Sequence, residues 1–343
     1  MFIGLCGGIS NPPLQTAPFS QVPGAGAGKR TIAEYLKNTL DFTEVDLDPG
    51  YENLHWDDRR KRFTFDSADA LLEHVTKHWR QRWVTTRISA DVVDMYARRP
   101  FFLLVSVDAP VFTRWVRYET REGSPFPLKE FVQWSDDTLY NPQTGQLPFM
   151  SRASVHILNT SSSIAQLHTQ LAALDLLHPD RLRPSWDMYF MSLASLAAQR
   201  SNCMKRRVGC VVVRDKRVIS TGYNGTPRGL VNCGEGGCGR CNAGEGSGHG
   251  LATCLCIHAE ENALLEAGRE RLAERAVLYC DTCPCLTCSI KIVQVGIGEV
   301  VYSQEYSMDG RTAAVFAEGG VKLRQFVPPP NGLIHVERDL ALQ

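Results

Sequence analysis

Eleven of the chain's twelve cysteines fall between Cys203 and Cys288, and only Cys6 precedes them. In a reducing compartment such crowding signals metal binding more often than a disulfide framework. Isolated cases such as Cys210 and Cys280 read as buried apolar thiols, but cysteines spaced two to four residues apart need another account. The sharpest pattern is HAEENALLEAG at 258–268 followed by CPCLTCSIKIV at 283–293. Each fragment predicts a helix start, over His258–Ala267 and Pro284–Val295, with a strand over Ala276–Cys280 between them. Proline is tolerated in a helix's first turn. Cys285 and Cys288, at i and i+3, share one face and can reach one ion, and a helix N-terminus favours the thiolate. One imidazole, His258, with these two thiolates makes a three-ligand zinc site open at its fourth position, which is the catalytic form. Glu260 is not a ligand in this scheme. Beside a zinc-activated water it can take a proton and return it to a leaving group.

At 343 residues the chain is long enough for two domains. Residues 1–175 alternate short apolar strands with polar helical stretches. The pattern predicts a strand at Phe2–Cys6, helices at Lys29–Leu40 and Ala68–Trp83, and a buried parallel strand at Phe101–Val107. That order is an α/β layered domain. The Pro-rich ISNPPLQTAPFSQVP between Gly8 and Gly24 is loop, and His178-Pro179 and Arg183-Pro184 mark a boundary. A second α/β domain is expected over 185–327. It starts with a helix over Trp186–Ser201 capped by Ser185, then a hairpin of Val208–Val213 and Arg217–Thr221 about Asp215-Lys216, and includes a strand at Glu299–Ser303. The Pro-rich tail from Val327 is expected to fray.

Lys plus Arg and Asp plus Glu both total 37, so no global field draws the chain to nucleic acid or anionic membrane. Charge is also near balance over 185–324, and no aromatic stacking series accompanies it. No run approaches the roughly 18 apolar residues of a membrane span. Met1–Ser10 lacks a basic n-region and reads as a first strand rather than a signal peptide. The expected location is cytoplasmic, extending to the nucleus.

The joint H-x-E and P-C-x-x-C motifs are the signature of zinc deaminases. The segment from Ser185 to about Leu323 resembles the deoxycytidylate (dCMP) deaminases of fungi. The resemblance rests on SWDMYFMSLASLAAQRSNCMKRRVGCVVVRDKRVISTGYNGTPRG at 185–229 and on the two zinc motifs. Gly222-Tyr-Asn-Gly225 is its most telling part, because cytidine, tRNA-adenosine and riboflavin-pathway deaminases share the zinc motifs without Tyr-Asn-Gly there. The resemblance implies a cytidine-deaminase-like α/β/α sandwich, assembly as a hexamer, activation by dCTP and inhibition by dTTP, with Mg2+ accompanying the allosteric nucleotide. It implies hydrolysis of dCMP at C4 to dUMP and ammonia, with Glu260 carrying the protons. Asn224 lies where the family places sugar or nucleotide contacts, a turn residue before Gly225 being the other reading. Asn262 orders the active-site helix or touches the sugar, with solvated helix surface as the competing account. Tyr306, in VYSQEYSMDG, falls where the family has residues near the substrate phosphate.

The Gly-rich segment holding Cys233, Cys238, Cys241, Cys254 and Cys256 cannot fold around an apolar core of its own. Its C-x4-C-x2-C spacing suits a structural zinc that supplies the missing folding energy. By the resemblance, Cys203 joins beside a second zinc. Four ligands are expected from Cys203, Cys233, Cys238, Cys241 and Cys254, with His249 a weaker candidate.

The N-terminal FIGLCGG…AGKRTIAEYL resembles the P-loop kinase fold of small nucleoside-phosphate and dephospho-coenzyme A kinases, a module with which such fungal deaminases often begin. The phosphate loop is degenerate. A Walker motif needs Gly, four residues, then Gly-Lys-Ser/Thr, but Pro23 stands five positions before Gly28, and Arg30 follows Lys29 with Thr31 the next hydroxyl. NPPLQTAPFSQVPGAG reads as an insertion in that loop. A catalytically inactive, nucleotide-sensing or assembly-supporting domain is expected. The alternatives are a bifunctional protein with a small nucleotide kinase, or a deaminase of another cytosine nucleoside or of nucleic acid.

Overall fold

The computed structural model describes residues 1–7, 26–48, 55–58, 61–244, 246, 249–272, 275–305, 310–329 and 333–335. The insertion in the N-terminal loop lies outside them, apart from its last residue Gly26, and so does Tyr306. Contacts divide the chain into two units, Met1–Arg183 with Pro329–Gln343, and Pro184–Pro328.

Among the described residues the first unit is built on eight strands: β1 (Phe2–Cys6), β2 (Thr43–Leu47), β3 (His55–Asp57), β4 (Arg62–Phe65), β5 (Trp83–Thr85), β6 (Phe102–Asp108), β7 (Val155–Leu158) and, from the C-terminal tail, Leu333–His335. Every pairing is parallel except β3 with β4. The apolar run of β1 is buried on both faces. Ile3 and Leu5 enter one core with the helix Lys29–Leu40, and Phe2 enters another with Tyr96 and Trp83.

Two expectations are corrected here. The helix expected over Ala68–Trp83 stops at Lys77, and Trp83 opens β5 instead. Its ring is buried beside β1, and its indole N–H donates to His78 O at 3.1 Å, so the large side chain serves the sheet rather than the helix. The tail does not fray throughout. Leu333–His335 pair in parallel with His156–Leu158 and satisfy the free edge of β7.

In the second unit β8 (Gly209–Arg214), β9 (Arg217–Tyr223), β10 (Val277–Thr282), β11 (Glu299–Gln304) and β12 (Lys322–Gln325) form a mixed sheet. With the Leu333–His335 strand numbered β13 in chain order, the sheet orders are β13-β7-β6-β1-β5-β2-β4-β3 and β12-β11-β10-β8-β9. The β8–β9 hairpin turns through Asp215 and Lys216 with φ of 50° and 61°, the pair of positive angles a two-residue type I′ turn requires.

Period-two alternation sorts the strand residues onto two faces. Val211, Val213, Tyr279 and Val301 pack against Phe190, Met191 and Ala194 of the helix Trp186–Ala198. Cys210, Val212, Leu278, Cys280 and Val300 pack against the helices Ala259–Ala267, Leu286–Gln294 and Gly310–Glu318. This is the α/β/α sandwich expected of residues 185–327. The first helix begins at its Ser185 cap, where Oγ accepts from Met188 N at 3.3 Å. Among the described residues no helix is long and apolar enough to cross a membrane.

One polar junction ties the Trp186–Ala198 helix to the sheet. Asp187 accepts from both terminal nitrogens of Arg324 at 2.7 and 3.1 Å and from the Tyr279 hydroxyl at 2.8 Å. Partial burial pushes its pKa upward, but these bonds outweigh burial and hold the carboxyl below its ordinary value. Asp187→Ala should therefore destabilise this unit by about 1–3 kcal/mol, read from the denaturation midpoint near neutral pH. A depressed carboxylate contributes stability above its unfolded pKa and loses it as pH falls through the folded value. The gap between wild type and variant should accordingly close below about pH 4. A midpoint unchanged at pH 7 would remove Asp187 from this role.

Candidate active site

The edge strand β9 sets the position of the site. At Gly222 a Cβ would lie 2.1 Å from Ala259 O and 2.5 Å from Ala263 N, so the strand and the helix Ala259–Ala267 meet backbone to backbone. Ser220 Oγ donates to Ala263 O at 2.8 Å, and Asn262 Nδ2 to Tyr223 O at 2.8 Å. Just upstream, Gly225 and Ile257 exchange backbone hydrogen bonds of 3.2 and 3.0 Å, which fix the chain as it enters His258. His258 is the N-cap of its helix, and Cys285 is the N-cap of Leu286–Gln294. The second helix thus starts after Pro284 rather than at it. An ion pair of 2.7 Å between Lys291 and Glu261 joins the two helices.

These contacts bring the three expected metal donors together. His258 Nδ1 lies 3.4 Å from Cys285 Sγ and 3.3 Å from Cys288 Sγ, and all three atoms fall within 4.8 Å of one another. Zn–N and Zn–S bonds of about 2.0 and 2.3 Å at a tetrahedral angle separate donors by about 3.5 Å, so the set fits zinc. The Cys285 thiol is held well below its ordinary range, first by its contact with Cys288, then by His258, against the effect of burial. The same contact, together with burial, drives the Cys288 thiol upward.

Glu260 occupies the first turn of the His258 helix and is 4% exposed. Burial pushes its carboxyl up to about 7, and the opposing effects of a backbone hydrogen bond and of His258, which favour the carboxylate, are smaller. A carboxyl so placed can hold or release a proton near neutrality.

Asn224 is buried and its amide is engaged by protein. Oδ1 accepts from Val208 N at 2.8 Å and Ser201 Oγ at 2.7 Å, while Nδ2 donates to Arg206 O at 2.7 Å. It knits the 201–208 segment to the end of β9. Asn262 anchors the His258 helix through Tyr223 O. Two residues that sequence reasoning passed over lie at the same end of the sheet. Asp281 accepts from Gly209 N at 3.2 Å, and Arg206 donates to Thr282 Oγ1 at 3.1 Å and Gln304 Oε1 at 3.2 Å. The signal for Asp281 was available, since it is the one acidic residue at the end of an apolar strand running into the cysteine motif.

The Gly-rich loop folds its cysteines into two groups of four: Cys203, Cys233, Cys241 and Cys256, and Cys238, Cys241, Cys254 and Cys256. Each group includes Cys256, which lay outside the expected ligand list, and the Gly225–Ile257 bridge pairs the residue next to it across the fold, which spacing alone could not show. His249 belongs to neither group. In the first unit Gly28 is the N-cap of Lys29–Leu40 with φ 102°. With Lys29 it lines a cleft of about 480 Å³, together with Arg30, Arg87, Arg117 and Arg121.

Residues 184–304 match the family described as the cytidine and deoxycytidylate deaminase zinc-binding region. The deoxycytidylate deaminase of Schizosaccharomyces pombe is 49% identical over 310 residues, covering 90% of this chain and 96% of that protein. That of Saccharomyces cerevisiae is 49% identical over 271 residues, covering 76% and 86%. A solved dCMP deaminase from the cyanophage S-TIM5, in complex with dCMP and dUMP, is 30% identical with a TM-score of 0.33, covering 40% of this chain and 94% of that one.

The contact at Gly222 is open to direct test. Gly222→Ala forces the His258 helix off β9 and should cost about 1–3 kcal/mol with loss of metal affinity. Gly310→Ala, where a Cβ meets nothing within 4 Å, should leave both unchanged. Equal midpoints and metal contents for the two variants would disprove the close packing.

Proposed function

The chain belongs to the deoxycytidylate deaminase family, and on that footing we propose that it hydrolyses dCMP to dUMP and ammonia, with His258, Cys285 and Cys288 holding zinc and Glu260 moving the protons. The observation that carries the reading is a buried carboxyl two residues from an imidazole that faces a thiol pair across two helix N-termini. Zinc bound by that set supplies a water acidified enough to react at neutral pH. Glu260 accepts one proton from the attacking water and delivers it to ring N3 as oxygen bonds to C4. It then carries the second water proton to the amino group, the C4–N bond breaks, ammonia leaves, and the C4 carbonyl forms. Glu260 ends in the state in which it began.

Asn262 and Asn224 act by holding the walls of the site through the bonds given above, and Tyr306 is proposed to meet the substrate phosphate. The cysteine loop holds structural zinc. Family likeness supports a homo-hexamer activated by dCTP with Mg2+ and inhibited by dTTP. The N-terminal unit keeps Gly28 and Lys29 beside four arginines, but Arg30 stands where a magnesium-binding hydroxyl belongs. It is proposed to support assembly or sense nucleotides without phosphoryl transfer. Balanced charge supports a free nucleotide over a polynucleotide as substrate.

Glu260→Gln should retain zinc and lose about a hundred- to ten-thousand-fold in ammonia release from dCMP. Zinc retention with near-wild-type turnover would end the assignment. Wild type should prefer dCMP over cytidine, deoxycytidine and single-stranded DNA, and activity confined to the single strand would overturn the substrate. Addition of dCTP should raise the rate at low dCMP and dTTP should lower it, whereas indifference to both would remove the regulatory part.

A further inference from the structure

We propose that Cys203, Cys233, Cys238, Cys241, Cys254 and Cys256 hold two zinc ions in one binuclear cluster, with Cys241 and Cys256 each bridging both ions. The two groups of four donors share these two residues. One ion would then sit among Cys203, Cys233, Cys241 and Cys256, the other among Cys238, Cys254, Cys241 and Cys256. The spacings suit this division. Sγ–Sγ distances are 3.9 Å for Cys203–Cys241, Cys238–Cys254 and Cys241–Cys254, and 4.0 Å between the two shared sulfurs. Zn–S bonds of about 2.3 Å at a tetrahedral angle give an edge of about 3.8 Å. A disulfide would need about 2.05 Å, and all six are free thiols.

A single ion would use one group and leave two outer cysteines as spare thiols. The hydrogen bonds argue against that, because N–H donors reach the outer sulfurs of both halves. In the first, Met204 N–H points at Cys233 at 3.5 Å, and the backbone of Lys205 and Arg206 at Cys203. In the second, Leu255 N–H points at Cys238 at 3.4 Å, and the Arg240 guanidinium lies 3.8 Å from Cys254. Such donors stabilise thiolates and gain little from neutral thiols. The shared sulfurs face mainly other sulfurs: Cys241 touches Cys203, Cys238 and Cys254, and Cys256 touches Cys203 and Cys233. Six thiolates and two dications leave a net charge of −2, the same as four thiolates around one ion. Among the described residues the apolar cluster of this loop consists of cysteines, so the metals take the place of a core.

The inference stands apart from the deaminase reading, because its ions are counted separately from the His258 site. Elemental analysis and native mass spectrometry of the full chain should give three zinc ions. The variant His258→Ala/Cys285→Ser/Cys288→Ser should keep two. Two ions in wild type, or iron in place of zinc, would overturn the cluster. Should that variant fail to fold, the wild-type chain loaded with 113Cd decides. Two resonances in the all-thiolate region, split by mutual 113Cd–113Cd coupling, are expected, and uncoupled signals would overturn the bridging sulfurs.

Discussion

The close approach of β9 to the helix Ala259–Ala267 is the contact on which the site depends. A helix laid on a sheet normally stands off by the thickness of two side chains. At Gly222 one of those side chains is missing, and the helix backbone comes down onto the strand. That places the helix N-terminus, with His258 as its cap, within reach of Cys285 and Cys288 on the helix that follows β10. Two helix N-termini aimed at one point supply the positive ends of two peptide dipoles, which favour thiolates and a carboxylate there. Ser220, Asn262 and the Glu261–Lys291 pair then hold that arrangement against sliding.

Burial raises the pKa of both neighbouring groups in this small volume, yet the outcomes are opposite. It pushes Glu260 toward neutrality, where a proton can be taken up and given back. At Cys285 the contacts with Cys288 and His258 overcome it and favour the thiolate. The difference comes from partners: Cys285 has a donor within reach on each side, while Glu260 sits enclosed by the helix and the sheet. The thiol pair and the carboxyl therefore sit at two facing helix starts but acquire distinct chemistry from their surroundings.

Much of this was legible in the sequence. Strands β1 and β6 of the first unit and β8 to β11 of the second announced themselves by apolar runs, and the hairpin by the polar pair Asp215-Lys216 between two of them, whereas the short strands β2 to β5, β7 and β12 did not. His258, Cys285 and Cys288 were legible because zinc restricts its donors to few residue types, and Glu260 because it follows His258 at a helix start. Trp83 was misread as the end of a helix, since an aromatic at helical spacing looks the same whether it faces a helix neighbour or begins a strand. The role of residues 333–335 was invisible because their partner, β7, lies far away in the chain. Asn224 was legible as a position but not as a junction, since its partners come from three separate residues of the 201–208 segment.

The cysteine loop divides the two kinds of knowledge most clearly. Composition alone led to the expectation that a Gly-rich stretch with this many thiols binds metal, since it holds too little apolar surface to bury. Sequence likewise determined the chemistry of the His258 site, because donor type and helical spacing are local properties. Which sulfurs come together was decided only by tertiary structure. Cys256 turns inward through the bridge between Gly225 and Ile257, a pairing across the fold, and Cys203 arrives from the end of another helix. Ligand identity depends on where the chain returns in space, and that is set by long-range pairing and close packing, not by residue spacing.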